Sequence, residues 1–242
     1  MTNPFGIALA ALVGSCVGSF AATLAVRVAR QEQSVFGRSA CDSCGVSLSF
    51  ARTVPLVSYV QSGGACRVCS GRIDPAHFTG EALGAGIAAA AFWVAVPERA
   101  ALMALAGIAL LAASIVDVRT QRLPHFLTAV VAACGLALSA AGGRQTLEIA
   151  VVSAVIAFAV MELTRWGLGR LKGEAVLGAG DVILLAALAL WLGPATPWAL
   201  VLASVGGLVI ARIRKEARGR MAFGPYLAAA AWPIGLYLEL AK

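Results

Sequence analysis

Continuous apolar runs of bilayer-crossing length are the feature that most limits what this chain can fold into. They fall at 5–26, 81–96, 101–116, 126–141, 146–163, 181–192, 197–211 and 222–240, near the ~20 residues a spanning helix needs. Inside lipid every backbone N–H and C=O must be bonded within the protein, which leaves helices or a closed barrel. Barrel strands alternate apolar and polar residues, and these runs do not. With 60% hydrophobic and 13% charged residues, against about 25% charged in a soluble domain, the chain reads as an all-α polytopic membrane protein of about eight transmembrane helices. The 26 glycines suit close helix–helix contact in lipid.

The net charge of +7 invites a nucleic-acid reading until the basic residues are placed. Of the 19 Lys and Arg, all but Arg99, Arg144 and Lys242 fall in alternate gaps between the runs: 27–80, 117–125, 164–180 and 212–221. Cytoplasmic loops carry the Lys/Arg excess, so these gaps face the cytoplasm and both termini face outward. The charge is topological, and no nucleic-acid partner follows from it. The first run is a retained helix, because Met1-Thr2-Asn3-Pro4 lacks the basic residues of a secretory signal.

Residues 27–80 form the one sizeable polar segment, between the first two helices. It holds Cys41-Asp-Ser-Cys44 and, after 21 intervening residues, Cys66-Arg-Val-Cys69. Two such pairs present four thiolates for a tetrahedral zinc site, and a reducing cytoplasm disfavours disulfides. Four sulfurs leave no open coordination position, so the metal is structural. Cys16 and Cys134, inside apolar runs, read as packing residues. The organisation is thus a helix at 1–26, a zinc-binding segment at 27–80 and a seven-helix core at 81–242.

Two carboxylates stand where lipid makes them costly. Asp117 closes the run ending Ser114-Ile-Val-Asp117, and Asp181 follows Gly178-Ala-Gly180 and opens the next-but-two. Intramembrane acids default to a functional reading. The inferred topology brings both to the cytoplasmic side at one depth, where they could share a proton as an aspartyl hydrolase pair does. Asp181 at a helix N-terminus suits the ionised role, and Asp117 near a C-terminus the protonated one. Gly178 and Gly180 let the backbone bend and approach a peptide, with a non-helical turn expected at the start of that helix. Paired carboxylates also build proton or cation transport sites, which is the alternative reading.

Taken in order, the four cysteines, Asp117 with Leu123-Pro124, Gly178-Ala-Gly-Asp181 and Phe223-Gly224-Pro225-Tyr226 resemble the type IV prepilin peptidases. The resemblance runs from Gly18-Ser19-Phe20 to the last helix. It implies a bacterial inner-membrane aspartyl protease that cuts the basic leader from prepilins or pseudopilins after Gly, at the cytoplasmic face. It also implies N-methylation of the new N-terminus with S-adenosylmethionine. Asp117 and Asp181 match the family's two catalytic aspartates. Glu81 matches an acid opening helix 2, and Glu174 an acid before G-x-G-D, although Glu174 also reads as a loop charge beside Lys172. With Glu81 they form an acidic patch for a basic leader. Gly224 and Pro225 shape a turn near the site. The sequence departs from the family at Ala22 and Thr53, each in place of Asn, at Ile183 in place of Lys, and at His125 in place of an acid. His77 and His125 read as interfacial polar residues, and the five tryptophans as an aromatic belt.

Overall fold

The computed structural model describes residues 3–32, 37–172, 177–214 and 221–241. Glu174, Lys215, Arg218, Arg220 and Lys242 lie outside them. Among the described residues every apolar run is helical and no strand is present. The elements are α1 (Pro4–Ala29), α2 (Val57–Gln61), α3 (Pro75–Val94), α4 (Pro97–Thr120), α5 (His125–Ala140), α6 (Arg144–Lys172), α7 (Ala179–Leu192), α8 (Thr196–Arg214) and α9 (Gly224–Leu240). Pro4–Ala29, Pro97–Thr120, Arg144–Leu171 and Ala179–Ile213 are long and apolar enough to cross a membrane, and His125–Ala140 is a shorter apolar helix. The protein is an integral membrane protein.

Helix ends follow local chemistry. Asn3 accepts the N–H of Phe5 at 3.1 Å and starts α1 with Pro4 in its first turn. Asp74 does the same for α3, accepting from Ala76 at 2.9 Å ahead of Pro75. Such caps satisfy N–H groups that the helix itself cannot. The cap at Asp74 starts α3 six residues before its apolar run, because polar turns carry no hydrophobic signature. In the same way α6 continues past residue 163, held by the Glu162–Arg165 ion pair and by Arg170 stacked 4.2 Å over Trp166.

Packing is tightest where α1 crosses α3. Gly14 and Gly18 interleave with Gly80 and Gly84, and a Cβ at Gly18 would collide with the Gly80 carbonyl. Only small residues permit such an approach in lipid, where packing rather than the hydrophobic effect joins helices. α7 sits at the centre, with Val182, Leu184, Leu185, Leu188 and Leu192 buried together with Val131, Leu227 and Ala231. At 14 residues it is about 21 Å long, shorter than the hydrocarbon layer. α6 is peripheral and exposes Val152, Val155, Ile156 and Leu163. Cys134 is buried as expected, but Cys16 is exposed on α1 rather than packed. Trp191 and Trp232 also depart from the belt: their rings pack inside the bundle with centroids 5.6 Å apart.

Candidate active site

The C-terminal end of α4 places the first acid. Gln121 turns left-handed (φ 53°, ψ 34°), and its N–H bonds the Asp117 carbonyl at 2.8 Å, which ends the helix one turn beyond Asp117. Pro124 then starts α5. Asp117 itself is buried, 4% exposed. Its Oδ2 accepts the backbone N–H of Gly224 at 2.9 Å, from the start of α9.

The second acid stands in the first turn of α7. Gly178 caps this helix, which begins at Ala179, so the bend precedes Asp181 and no non-helical turn follows it. A Cβ at Gly178 would lie 2.8 Å from Asp181 Oδ2. Any larger residue there would displace the carboxylate.

Leu123 locks the two helix ends together. A Cβ at Gly180 would meet its Cβ at 3.0 Å, and one at Gly224 would meet its Cδ2 at 3.0 Å. One leucine is therefore wedged between the G-x-G turn and the Gly224-Pro225 turn, and glycine at both positions makes room for it. Asp117 and Asp181 line a single cavity of about 720 Å³ with Gln31, Gln121, Arg122, His125, Gly178 and Gly180. They are close enough for their charges to act on one another. This volume lies within the range of ligand clefts.

Glu81 is elsewhere. It lines a second cavity of about 320 Å³ between α1, α3 and the cysteine segment, with His77, Tyr59, Arg52 and Arg72. Buried at 6% exposure, it accepts Ser19 Oγ and the Leu56 N–H, each at 2.7 Å. These bonds hold Leu56 at φ 63°, the start of α2. Glu81 thus anchors the loop that carries Thr53 and does not join the acid pair in a patch.

The cysteines form two copies of one turn. In the first, Gly45 N–H bonds the Cys41 carbonyl; in the second, Ser70 N–H bonds that of Cys66, both at 2.8 Å. Gly45 and Ser70 occupy the matching left-handed position, φ 69° and 58°. The four sulfurs lie within 4.8 Å of one another, and Cys41 Sγ is 3.8 Å from Cys69 Sγ. A tetrahedron with ~2.3 Å metal–sulfur bonds has edges of about 3.8 Å, so the set fits zinc. Backbone N–H groups of Cys69 and Val68 draw the Cys66 thiol down to about 6. Cys69 receives the Gly71 N–H, yet the crowding sulfurs push it up to about 11. Four thiolates this close repel unless a dication sits among them.

The role of Leu123, the Gly224 N–H on Asp117 and the Ser19–Glu81–Leu56 bonds were not foreseen. Their only sequence signal is glycine and proline placed where no loop composition demands them.

Residues 12–95 match the Bacterial Peptidase A24 N-terminal domain and residues 104–212 the Type IV leader peptidase family. The prepilin leader peptidase/N-methyltransferase of Burkholderia pseudomallei (strain 1026b) is 36% identical over 201 residues, covering 79% of this chain and 64% of that protein. The chain therefore spans just under two thirds of that relative. The type 4 prepilin-like proteins leader peptide-processing enzyme of Escherichia coli O78:H11 is 34% identical over 78% of this chain and 72% of its own length. The prepilin leader peptidase/N-methyltransferase of Neisseria gonorrhoeae is 30% identical over 96% of this chain and 91% of its own length. No solved structure matches the chain. A chain matched this way from its first helices to its last, with both acids in one cavity, belongs to the type IV leader peptidase family.

Proposed function

We propose that the chain is an aspartyl endopeptidase of the bacterial inner membrane that removes the basic leader from type IV prepilins or pseudopilins after Gly. The reading includes eight membrane crossings, both termini outside and cleavage at the cytoplasmic face. It divides the chain into the helix at 1–26, the cysteine segment at 27–80 and the core at 81–242. The observation that carries it is the shared cavity: two carboxylates from helices far apart in sequence wall one space, and one of them is fixed by a backbone donor.

The chemistry follows from that arrangement. Gly224 holds Asp117 Oδ2, so Oδ1 is the atom that carries the shared proton toward the substrate. Asp181 takes a proton from water while the water oxygen attacks the scissile carbonyl carbon. The Asp117 Oδ1 proton passes to the carbonyl oxygen, which gives a tetrahedral diol. Collapse of the diol breaks the C–N bond: the proton held by Asp181 passes to the leaving amine, and Asp117 Oδ1 takes back a proton from a diol hydroxyl as the carbonyl re-forms. The two acids end as they began.

A methyl-transfer activity is supported by the relatives' names and by the second cavity, whose buried carboxylate, hydroxyls and arginines suit a zwitterionic ligand of S-adenosylmethionine's size. When bound, that cofactor supplies an electrophilic methyl group. Glu81, Tyr59 and Arg52, which line that cavity, would hold it. Cys41, Cys44, Cys66 and Cys69 would hold a structural zinc ion that keeps this segment folded.

The test is mass spectrometry of a prepilin incubated with the purified protein. The wild type yields the mature pilin cut after Gly, with its new N-terminus about 14 mass units heavier where methylation follows. Asp117→Asn and Asp181→Asn each leave the precursor intact. Cleavage that survives either substitution in a folded protein removes the acid pair from the mechanism.

A further inference from the structure

An ionic chain connects the cysteine cluster to the helix end that carries Asp117. Asp42 lies within the first knuckle, between Cys41 and Cys44. Its Oδ2 accepts Arg30 Nη2 at 3.2 Å, at the end of α1. The same Arg30 nitrogen is 3.7 Å from Asp74, the cap of α3. Asp74 Oδ1 and Oδ2 accept Arg119 Nη2 at 2.7 and 2.8 Å. Arg119 is two residues past Asp117 on α4. The signs alternate along the whole path. His77 at 3.8 Å from Asp42 and Glu32 at 3.9 Å from Arg30 flank it.

Asp42 and His77 line the second cavity, whereas Arg30, Asp74 and Arg119 line neither cavity and touch neither carboxylate of the acid pair. The geometry of the path is nonetheless specific at each end. Asp42 can face Arg30 only while the knuckle is folded, and Ser43 and Gly71 pack the two knuckles against each other. At the other end the Asp74–Arg119 pair ties the last turn of α4 to the start of α3. We propose that Arg30, Asp74 and Arg119 are positioning residues that couple metal loading of the four cysteines to the placement of Asp117. The inference rests on the proposed acid pair and on zinc as the metal held by the sulfurs. A folded knuckle holds the last turn of α4 in register; an unloaded one releases it. By linkage, loosening α4 must weaken the metal in return.

The reciprocal effect provides a readout independent of cleavage. In the full chain in detergent micelles, zinc retention is measured by competition with a coloured chelator. Asp74→Asn keeps a capping side chain but removes the charge, and Arg119→Gln removes the fork. Neither residue neighbours a sulfur, yet each weakens zinc retention about five- to tenfold. Asp42→Asn, which leaves all four thiols, lowers kcat for prepilin cleavage about fivefold with little change in KM. Zinc retention equal to wild type in folded Asp74→Asn and Arg119→Gln, or unchanged kcat in Asp42→Asn, overturns the coupling alone. A wild-type protein that holds no zinc overturns the metal reading and the coupling with it. Wild-type zinc with no cleavage in any form overturns the acid-pair reading instead.

Discussion

Gly224 donates its backbone N–H to Asp117 Oδ2 at 2.9 Å, across 107 residues of sequence. This bond orients the acid without occupying the cavity, and any side chain at residue 224 would have to displace a neighbour. A Cβ there would stand 2.9 Å from Asp117 Oδ2 and 3.0 Å from Leu123 Cδ2. Gly224→Ala must therefore push the carboxylate or the leucine aside by a fraction of an ångström. A misplacement of 1 Å can cost about 10²-fold in rate, so a shift of a few tenths should lower kcat by about tenfold. Kinetics on a prepilin peptide should show that fall with KM nearly unchanged. A variant with wild-type kcat would show that the bond does not set Asp117's working position.

Glu81 offers a way to separate the two proposed activities. It accepts two donors, Ser19 Oγ and Leu56 N–H, so Glu81→Leu leaves the Leu56 N–H without its acceptor. A buried donor left unpaired costs about 1–3 kcal/mol. The loop around Leu56 would be released and the second cavity deformed, while the acid pair is untouched. Mass spectrometry of processed pilin should show normal cleavage with the N-terminal methyl group lost. Loss of both activities together, in a folded protein, would mean that the cavities are not separate.

Much of this architecture is legible in the sequence because lipid leaves an apolar run few options. The runs at 101–116 and 126–141 became α4 and α5 with ends close to those expected, since Pro97 and Pro124 mark their starts. The four cysteines were equally readable, because a tetrahedral donor set dictates its own spacing. Polar extensions were not: Pro75–Gly80 and the end of α6 are helical through a cap and local ion pairs, which leave no periodic apolar signal. The wedge of Leu123 between Gly180 and Gly224 joins segments far apart in sequence, so nothing local announces it. Trp191 and Trp232 looked interfacial by position along the chain, yet their rings meet inside the bundle.

Asp74 gives the ionic path a pH signature. Hydrogen bonding from Arg119 holds its carboxyl below the ordinary carboxylate value. As pH falls, the unfolded chain therefore takes up this proton before the folded one does. The contribution is complete above the ordinary carboxylate range and is lost as pH drops through the depressed folded value. For a partly exposed pair it is about 0.5–1 kcal/mol. The unfolding midpoint of wild type should exceed that of Asp74→Asn near neutral pH, and the two should converge in acid. A gap that stays constant across the titration would assign the difference to the cap and not to the charge.

Arg99 clamps the opposite end of the bundle. Its Nε and Nη2 donate to Glu239 at 2.5 and 2.7 Å, and Nη1 donates to the Leu138 carbonyl at 3.0 Å. One guanidinium thus joins the start of α4, the end of α5 and the end of α9. The side chains are 17% and 10% exposed, so the pair is largely removed from solvent. Taking the guanidinium away from a carboxylate in that setting is more damaging than breaking a surface pair, on the order of 2–3 kcal/mol. Lysine would keep the charge but lose the fork that reaches both partners, and should recover only part of that. Arg99 lies 18 residues before Asp117 on α4, about 27 Å along the helix axis. Arg99→Ala should lower the thermal midpoint in detergent, with Arg99→Lys intermediate, while kcat at a permissive temperature stays within about twofold of wild type. A large fall in kcat without a fall in midpoint would mean that this clamp acts on the acid pair through α4 and is not simply a staple.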